Sequence, residues 1–233
     1  MLARRRWVVP AALFATTGAL GIASQAAAGF DTERPRPDHI QYALDAETGR
    51  AQWLSAGTAP DDWTEQFFAQ GYTADRLAFS PSYYFGQSID VVTAPAPSIE
   101  LAPPEIALVE ERIEAGVRTV TMRLTSPRGA PTAHLDLDLP SDLVAADVEG
   151  QDLLVPEGQA LRELPITAYN LGEEGLRITV STRGAGPVTG TLTDYSNGLP
   201  PVPGMTIRPR PADHMPAPYD FRDPTSVQTS VRI

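Results

Sequence analysis

Val117-Arg118-Thr119-Val120-Thr121-Met122-Arg123-Leu124 alternates apolar and polar residues with period two, and this stretch decides the fold. A helix would place apolar residues three and four apart. A strand with one buried face places them at every second position. Strand-like stretches recur on both sides of it. Ile89 to Val92 and Ala107 to Ile113 precede it; Ala133 to Leu139, Leu143 to Val148, Leu161 to Tyr169, Leu176 to Thr182 and Val188 to Asp194 follow. Pro95-Ala96-Pro97, Pro103-Pro104, Glu114-Ala115-Gly116, Pro127-Arg128-Gly129 and Pro140 punctuate them. Turns every ~8–12 residues with few helix signals predict a mainly β protein, an antiparallel sandwich of immunoglobulin-like or jelly-roll-like type. No repeat period supports a propeller or a solenoid.

Outward from this core the chain divides into zones. Residues 29–85 hold eleven of the 17 aromatics, whereas residues 86–168 hold none. In the aromatic zone, His39 to Leu44 and Arg50 to Leu54 flank Asp45-Ala46-Glu47-Thr48-Gly49, which reads as a β-hairpin with glycine ending its turn. Asp61 or Asp62 caps one short helix expected over Trp63 to Gln70, with Trp63, Phe67 and Phe68 on one face and Gly71 as its stop. Residues 86–196 are the sandwich. Residues 197–233 carry eight prolines and read as a tail packed on it, closing with a short strand-like Ser226 to Ile233.

Residues 1–28 read as an address. Arg4, Arg5 and Arg6 precede an uncharged run from Trp7 to Phe30 that contains Ala26-Ala27-Ala28. This fits a signal peptide cleaved near Ala28, or a transmembrane helix over residues 7–28, of the ~20 residues a span needs. In both cases the Arg triplet stays cytoplasmic and the bulk of the chain is sent across the membrane. The expected locations are therefore a single-pass membrane protein with its bulk outside the cytoplasm, or a secreted or periplasmic one.

Composition narrows the chemistry. All 18 basic residues are arginine, against 29 Asp and Glu, for a net charge of −11. Nucleic acid is a poor partner for such a surface. The absence of cysteine removes disulfides, thiolate nucleophiles and zinc–cysteine sites. His134-Leu135-Asp136, the Glu173-Glu174 doublet and His214 follow the order of ligands in two-zinc aminopeptidases, where a Glu deprotonates metal-bound water. Against this, His134, Asp136 and Asp138 share one face of a strand, and Leu171-Gly172-Glu173-Glu174-Gly175 reads as a hairpin turn. Asp136, Asp138, Asp142 and Asp147 match no calcium-loop spacing. No Gly-x-Ser-x-Gly elbow accompanies the histidines. No catalytic, cofactor-binding or metal-binding residue is therefore expected.

A longer pattern runs through Phe30-Asp31-Thr32-Glu33-Arg34-Pro35-Arg36-Pro37-Asp38-His39-Ile40, the Tyr42 to Trp53 hairpin and Asp62-Trp63-Thr64-Glu65-Gln66-Phe67-Phe68. It continues through Arg118 to Gly129, Asp194 to Pro200 and Arg208-Pro209-Arg210-Pro211-Ala212-Asp213-His214-Met215-Pro216. In this order the stretches resemble the C-terminal extracytoplasmic region of membrane-bound zinc aminopeptidases of metallopeptidase family twenty-eight, the type of the vacuolar membrane and endoplasmic-reticulum enzymes. The resemblance spans residues from about 29 to 233 and has no counterpart of the zinc-bearing catalytic domain. It implies a non-catalytic accessory domain, anchored through residues 7–28, that docks on a zinc-peptidase domain in the same or another chain. Arg208, Arg210, Asp213, His214, Trp63 and Tyr83 are the docking residues this reading selects. A secreted module binding glycan or peptide through the aromatic zone is the alternative. A two-zinc site of His134, Asp136, Glu173 and His214 is a further one.

Overall fold

The computed structural model describes residues 29–78, 88–153, 160–217 and 223–233. The expected membrane or signal segment and Tyr83 lie outside the described residues. Among the described residues no helix is long and apolar enough to cross a membrane.

The chain is mainly β. Its strands are β1 (Arg36–Asp38), β2 (Gln41–Asp45), β3 (Arg50–Ala56), β4 (Thr73–Ala78), β5 (Ser88–Ala96), β6 (Glu105–Glu114), β7 (Val117–Thr125) and β8 (Thr132–Asp138). They continue with β9 (Leu143–Val148), β10 (Gln151–Leu153), β11 (Glu163–Tyr169), β12 (Leu176–Arg183), β13 (Thr189–Ser196), β14 (His214–Pro216) and β15 (Thr225–Arg232). One eight-stranded sheet runs β11-β8-β13-β15-β2-β3-β5-β4 and one five-stranded sheet runs β10-β9-β12-β7-β6. The expected sandwich is formed by these sheets. By contact density the described chain falls into two units. Residues 29–37 with Arg210–Met215 form the smaller; Asp38–Pro209 with Pro216–Ile233 form the larger.

Within the larger unit the eight-stranded sheet carries two cores of different composition. Under β8 and β13 it contributes Ala133, Leu135, Leu137 and Leu192, which meet Val120, Met122 and Leu124 of β7 and Ile178 and Val180 of β12. That core contains no ring, as the aromatic-free zone requires. Under β2, β3 and β5 lie Tyr42, Trp53, Val92 and Ala94, covered by Trp63, Phe67, Phe68 and Val202. Trp53 is the hub, with Tyr42 at 5.3 Å edge-on and Phe67 at 4.8 Å. Such ring pairs add to the burial energy itself. The aromatics of the described 29–78 stretch thus serve mainly as core.

Three local expectations change. The helix expected over Trp63 to Gln70 is a single 3-10 turn, Thr64–Phe67. Asp61 does cap it, its Oδ1 accepting from the backbone N–H groups of Trp63 (3.0 Å) and Thr64 (2.7 Å). The turn stops because Phe68 leaves helical geometry at φ −116° and Gly71 follows at φ +101°. Second, Leu171 to Gly175 is not a hairpin: β11 and β12 belong to different sheets, so the turn crosses the sandwich. Gly175, at φ +72°, is needed there, because a Cβ would sit 2.1 Å from the Leu124 carbonyl oxygen. Third, the terminal strand is no appendage. β15 is central, antiparallel to β13 and parallel to β2, pairing Val227 with Asp194 and with Leu44.

Candidate functional site

Both cores lie against the same face of the eight-stranded sheet; its other face is partly open, with Gln41, Leu54, Tyr195 and Ser226 buried and Gln52, Pro95 and Gln228 exposed. Strand alternation sets what that face presents. β2 turns Tyr42 and Leu44 inward and Gln41, Ala43 and Asp45 outward; β15 turns Val227 inward and Ser226 and Gln228 outward. Two cross-strand rows result. Thr193, Gln228, Asp45 and Arg50 align in one, and Tyr195, Ser226, Ala43, Gln52 and Pro95 in the next. Together with Leu54, Thr73 and Thr93 they line an open concavity of about 770 Å³.

The lining mixes polar and apolar residues and is nearly neutral. Its charged residues are Asp45 and Arg50, which face each other across the β2–β3 pair. Asp45 is held below the usual carboxylate range, chiefly by the Thr48 hydroxyl donating to its Oδ2 at 2.7 Å and by backbone N–H groups of the turn. It therefore stays ionised and serves the turn rather than acting as a base. Gln41 donates from Nε2 to Ser226 Oγ at 2.8 Å, tying β2 to β15 on the floor. Amides and hydroxyls so arranged can bind a ligand or partner by hydrogen bonds, and no nucleophile beside a base stands among these lining residues.

The same face continues over β8 and β13 into a shallower concavity of about 390 Å³ lined by Asp136, Asp138, Thr189, Thr191, Ser230 and Arg232. His134 lies beside it in the strand. Its Nδ1 meets Thr167 Oγ1 at 2.8 Å and its Nε2 meets Asp136 Oδ1 at 3.1 Å. Both ring nitrogens are engaged, and among the described residues no third His, Asp or Glu joins His134 and Asp136 within 4.8 Å. Glu173 stands exposed in the crossing turn. Asp142 pairs with Arg162 at 3.0 Å, and Asp147 accepts the Gly150 N–H in the β9–β10 turn.

The docking residues selected from the sequence are placed unequally. Trp63 is buried, its indole N–H donating to the Arg208 carbonyl at 2.9 Å. The Arg208 N–H donates to Gln66 Oε1 at 2.7 Å, while its guanidinium reaches out to Glu65 at 3.7 Å. The backbone of Arg208 is therefore structural and its charge is on the surface. Arg208→Ala is expected to change stability by less than about 1 kcal/mol in thermal melts, since exposed pairs contribute little. In the smaller unit, Asp213 lies 3.2 Å from His214 Nδ1, a bond that lowers the Asp213 pKa. The N–H of Arg36 donates to the Asp213 carbonyl at 2.7 Å, and Arg210 lies in the same unit.

Fold and site together define a β-sandwich in which one sheet face forms a broad concavity of mixed polar and apolar lining. The chain matches no family model, and no curated protein was found to match it.

Proposed function

We propose that this chain is a non-catalytic extracytoplasmic accessory domain of a membrane-bound zinc-peptidase system, and that it binds through the open face of its eight-stranded sheet. One observation carries the binding role. The sheet buries both cores against one face, and its opposite face forms a concavity of about 770 Å³ in which amides and hydroxyls alternate with small apolar residues such as Ala43 and Pro95. A surface of this size and neutrality suits recognition of another chain's loops, with Asp45 and Arg50 fixing orientation. The order of motifs from Phe30 to Pro216 and the uncharged run after Arg6 support the peptidase and membrane parts of the reading.

The test is site-specific photocrosslinking in the native cells, with a benzophenone side chain at Gln52 or Gln228. Both positions are exposed and line the concavity. The expected result is capture of a zinc-peptidase domain, from the membrane fraction, at both positions. A soluble product lacking residues 1–28 and retained on immobilised glycan would replace this reading with the secreted binding module.

A further inference from the structure

β6 is the longest strand of the five-stranded sheet and is almost uncovered. Nine of its ten residues are exposed, and among the described residues its only strand partner is β7. A long edge leaves a row of backbone N–H and C=O groups for another chain to pair with. The edge is not uniform. The register with β7 slips between Leu108 and Glu110, so Val109 is a bulge, and regular pairing resumes over Glu110–Glu114. In that segment Glu110, Arg112 and Glu114 point to one face of the sheet. Glu111 and Ile113, opposite Val120 and Arg118, point to the other. Glu111 is already paired with Arg118 at 2.7 Å. Ile113 stays 59% exposed and Leu108, on the same face, 50%.

We infer that β6 is a docking edge for an extended, basic segment of a partner protein, which adds a sixth strand beside Glu110–Glu114. The charge row names the occupant: basic residues opposite Glu110 and Glu114, a small neutral one opposite Arg112, and apolar residues between them to cover Ile113. Backbone pairing supplies the affinity and this alternation the specificity. A second copy of the chain fits badly. Antiparallel self-pairing centred on Arg112 sets Glu110 against Glu114, and like charges directly opposite are destabilising. The net charge of −11 opposes self-association as well. This edge is separate from the open sheet face and does not depend on the role proposed for that face.

The experiment is an NMR titration of the full chain with a capped Lys-Val-Thr-Val-Lys peptide, and with Glu-Val-Thr-Val-Glu as its control. The expected result is shift changes confined to β6 and its β7 neighbours, with the basic peptide at least about tenfold tighter. The exposed double variant Glu110→Lys/Glu114→Lys should invert that preference while melting as the parent does. Equal response to both peptides, shifts centred away from β6, or a preference unchanged in the double variant would overturn the proposal. Concentration-dependent dimerisation abolished by that variant would also overturn it, assigning the edge to a second copy.

Discussion

Asp194→Ala is expected to cost about 3–5 kcal/mol, the usual result of removing one partner of a buried ion pair. For a chain of this size that corresponds to a fall in melting temperature of about 10 °C. Asp194 is fully buried on β13, with Oδ1 2.5 Å from the Arg128 guanidinium and Oδ2 accepting from Ser126 Oγ at 2.5 Å. Arg128 also donates to Ser196 Oγ at 3.0 Å, and Ser126 Oγ accepts the Ala130 N–H at 3.0 Å. The carboxylate thus organises the whole β7–β8 turn against β13. Alanine would strand the guanidinium in the interior. Its Nε is already buried with no hydrogen-bond partner among the described residues. The pair is therefore imperfectly satisfied, so the double change Asp194→Leu/Arg128→Met should recover most of the loss. A double variant as unstable as Asp194→Ala would show that the charges themselves, not the stranding of one, sustain the turn.

The same group gives a pH signature. Burial pushes the Asp194 carboxyl up, and this outweighs the opposing pull of Ser126 and Arg128. A carboxyl with a raised native pKa holds its proton more tightly folded than unfolded. Between the unfolded value near ~3.9 and the native one, its contribution to stability falls as pH rises. Asp194→Asn, which cannot ionise, should remove that component from the stability–pH curve. An unchanged curve in denaturant titrations across the acid range would contradict it.

What was legible in the sequence is what strand periodicity carries locally. β7, β9 and β12 fall where alternation put them, and the ring-free core follows from a zone without rings. Long-range pairing leaves no such mark. Ser226 to Ile233 looks like a terminal strand, yet nothing in it announces that Val227 sits between Leu44 and Asp194. β4 carries no such mark, because Thr73-Ala74-Asp75 has no apolar alternation to report an edge strand. The open face was hidden for a related reason. Gln41, Gln52, Thr193 and Gln228 come from four strands, and each alone is an ordinary polar strand position. Only the order β13-β15-β2-β3 gathers them. Asp194 ends a sequence-predicted strand, and nothing local distinguishes its buried carboxyl from the exposed ones of β8.

Trp63 separates a docking residue from a structural one. Trp63→Ala is expected to cost about 3–5 kcal/mol, the range for deleting a buried aromatic side chain. The ring packs edge-on against Phe67 at 5.5 Å, and its N–H holds the Arg208 carbonyl. Losing it opens a cavity in the aromatic core and also releases the cover. Leu199, Val202, Met205 and Ile207 lie over that core on a proline-rich run that cannot form a ladder of its own. Their position depends on side-chain packing and on anchors such as Trp63 and Gln66 at Arg208. Amide hydrogen exchange at Met205, whose N–H bonds to the Val202 carbonyl at 3.2 Å, should therefore accelerate more than at β7 or β12. Trp63→Phe keeps most of the packing and removes only the hydrogen bond, so it should cost about 1 kcal/mol beyond the smaller ring's lost contacts. A Trp63→Ala protein that melts with the parent but loses its partner would return Trp63 to the surface role that its neighbourhood in the sequence suggests. The buried indole, bonded to a backbone carbonyl 145 residues away, argues for the structural one.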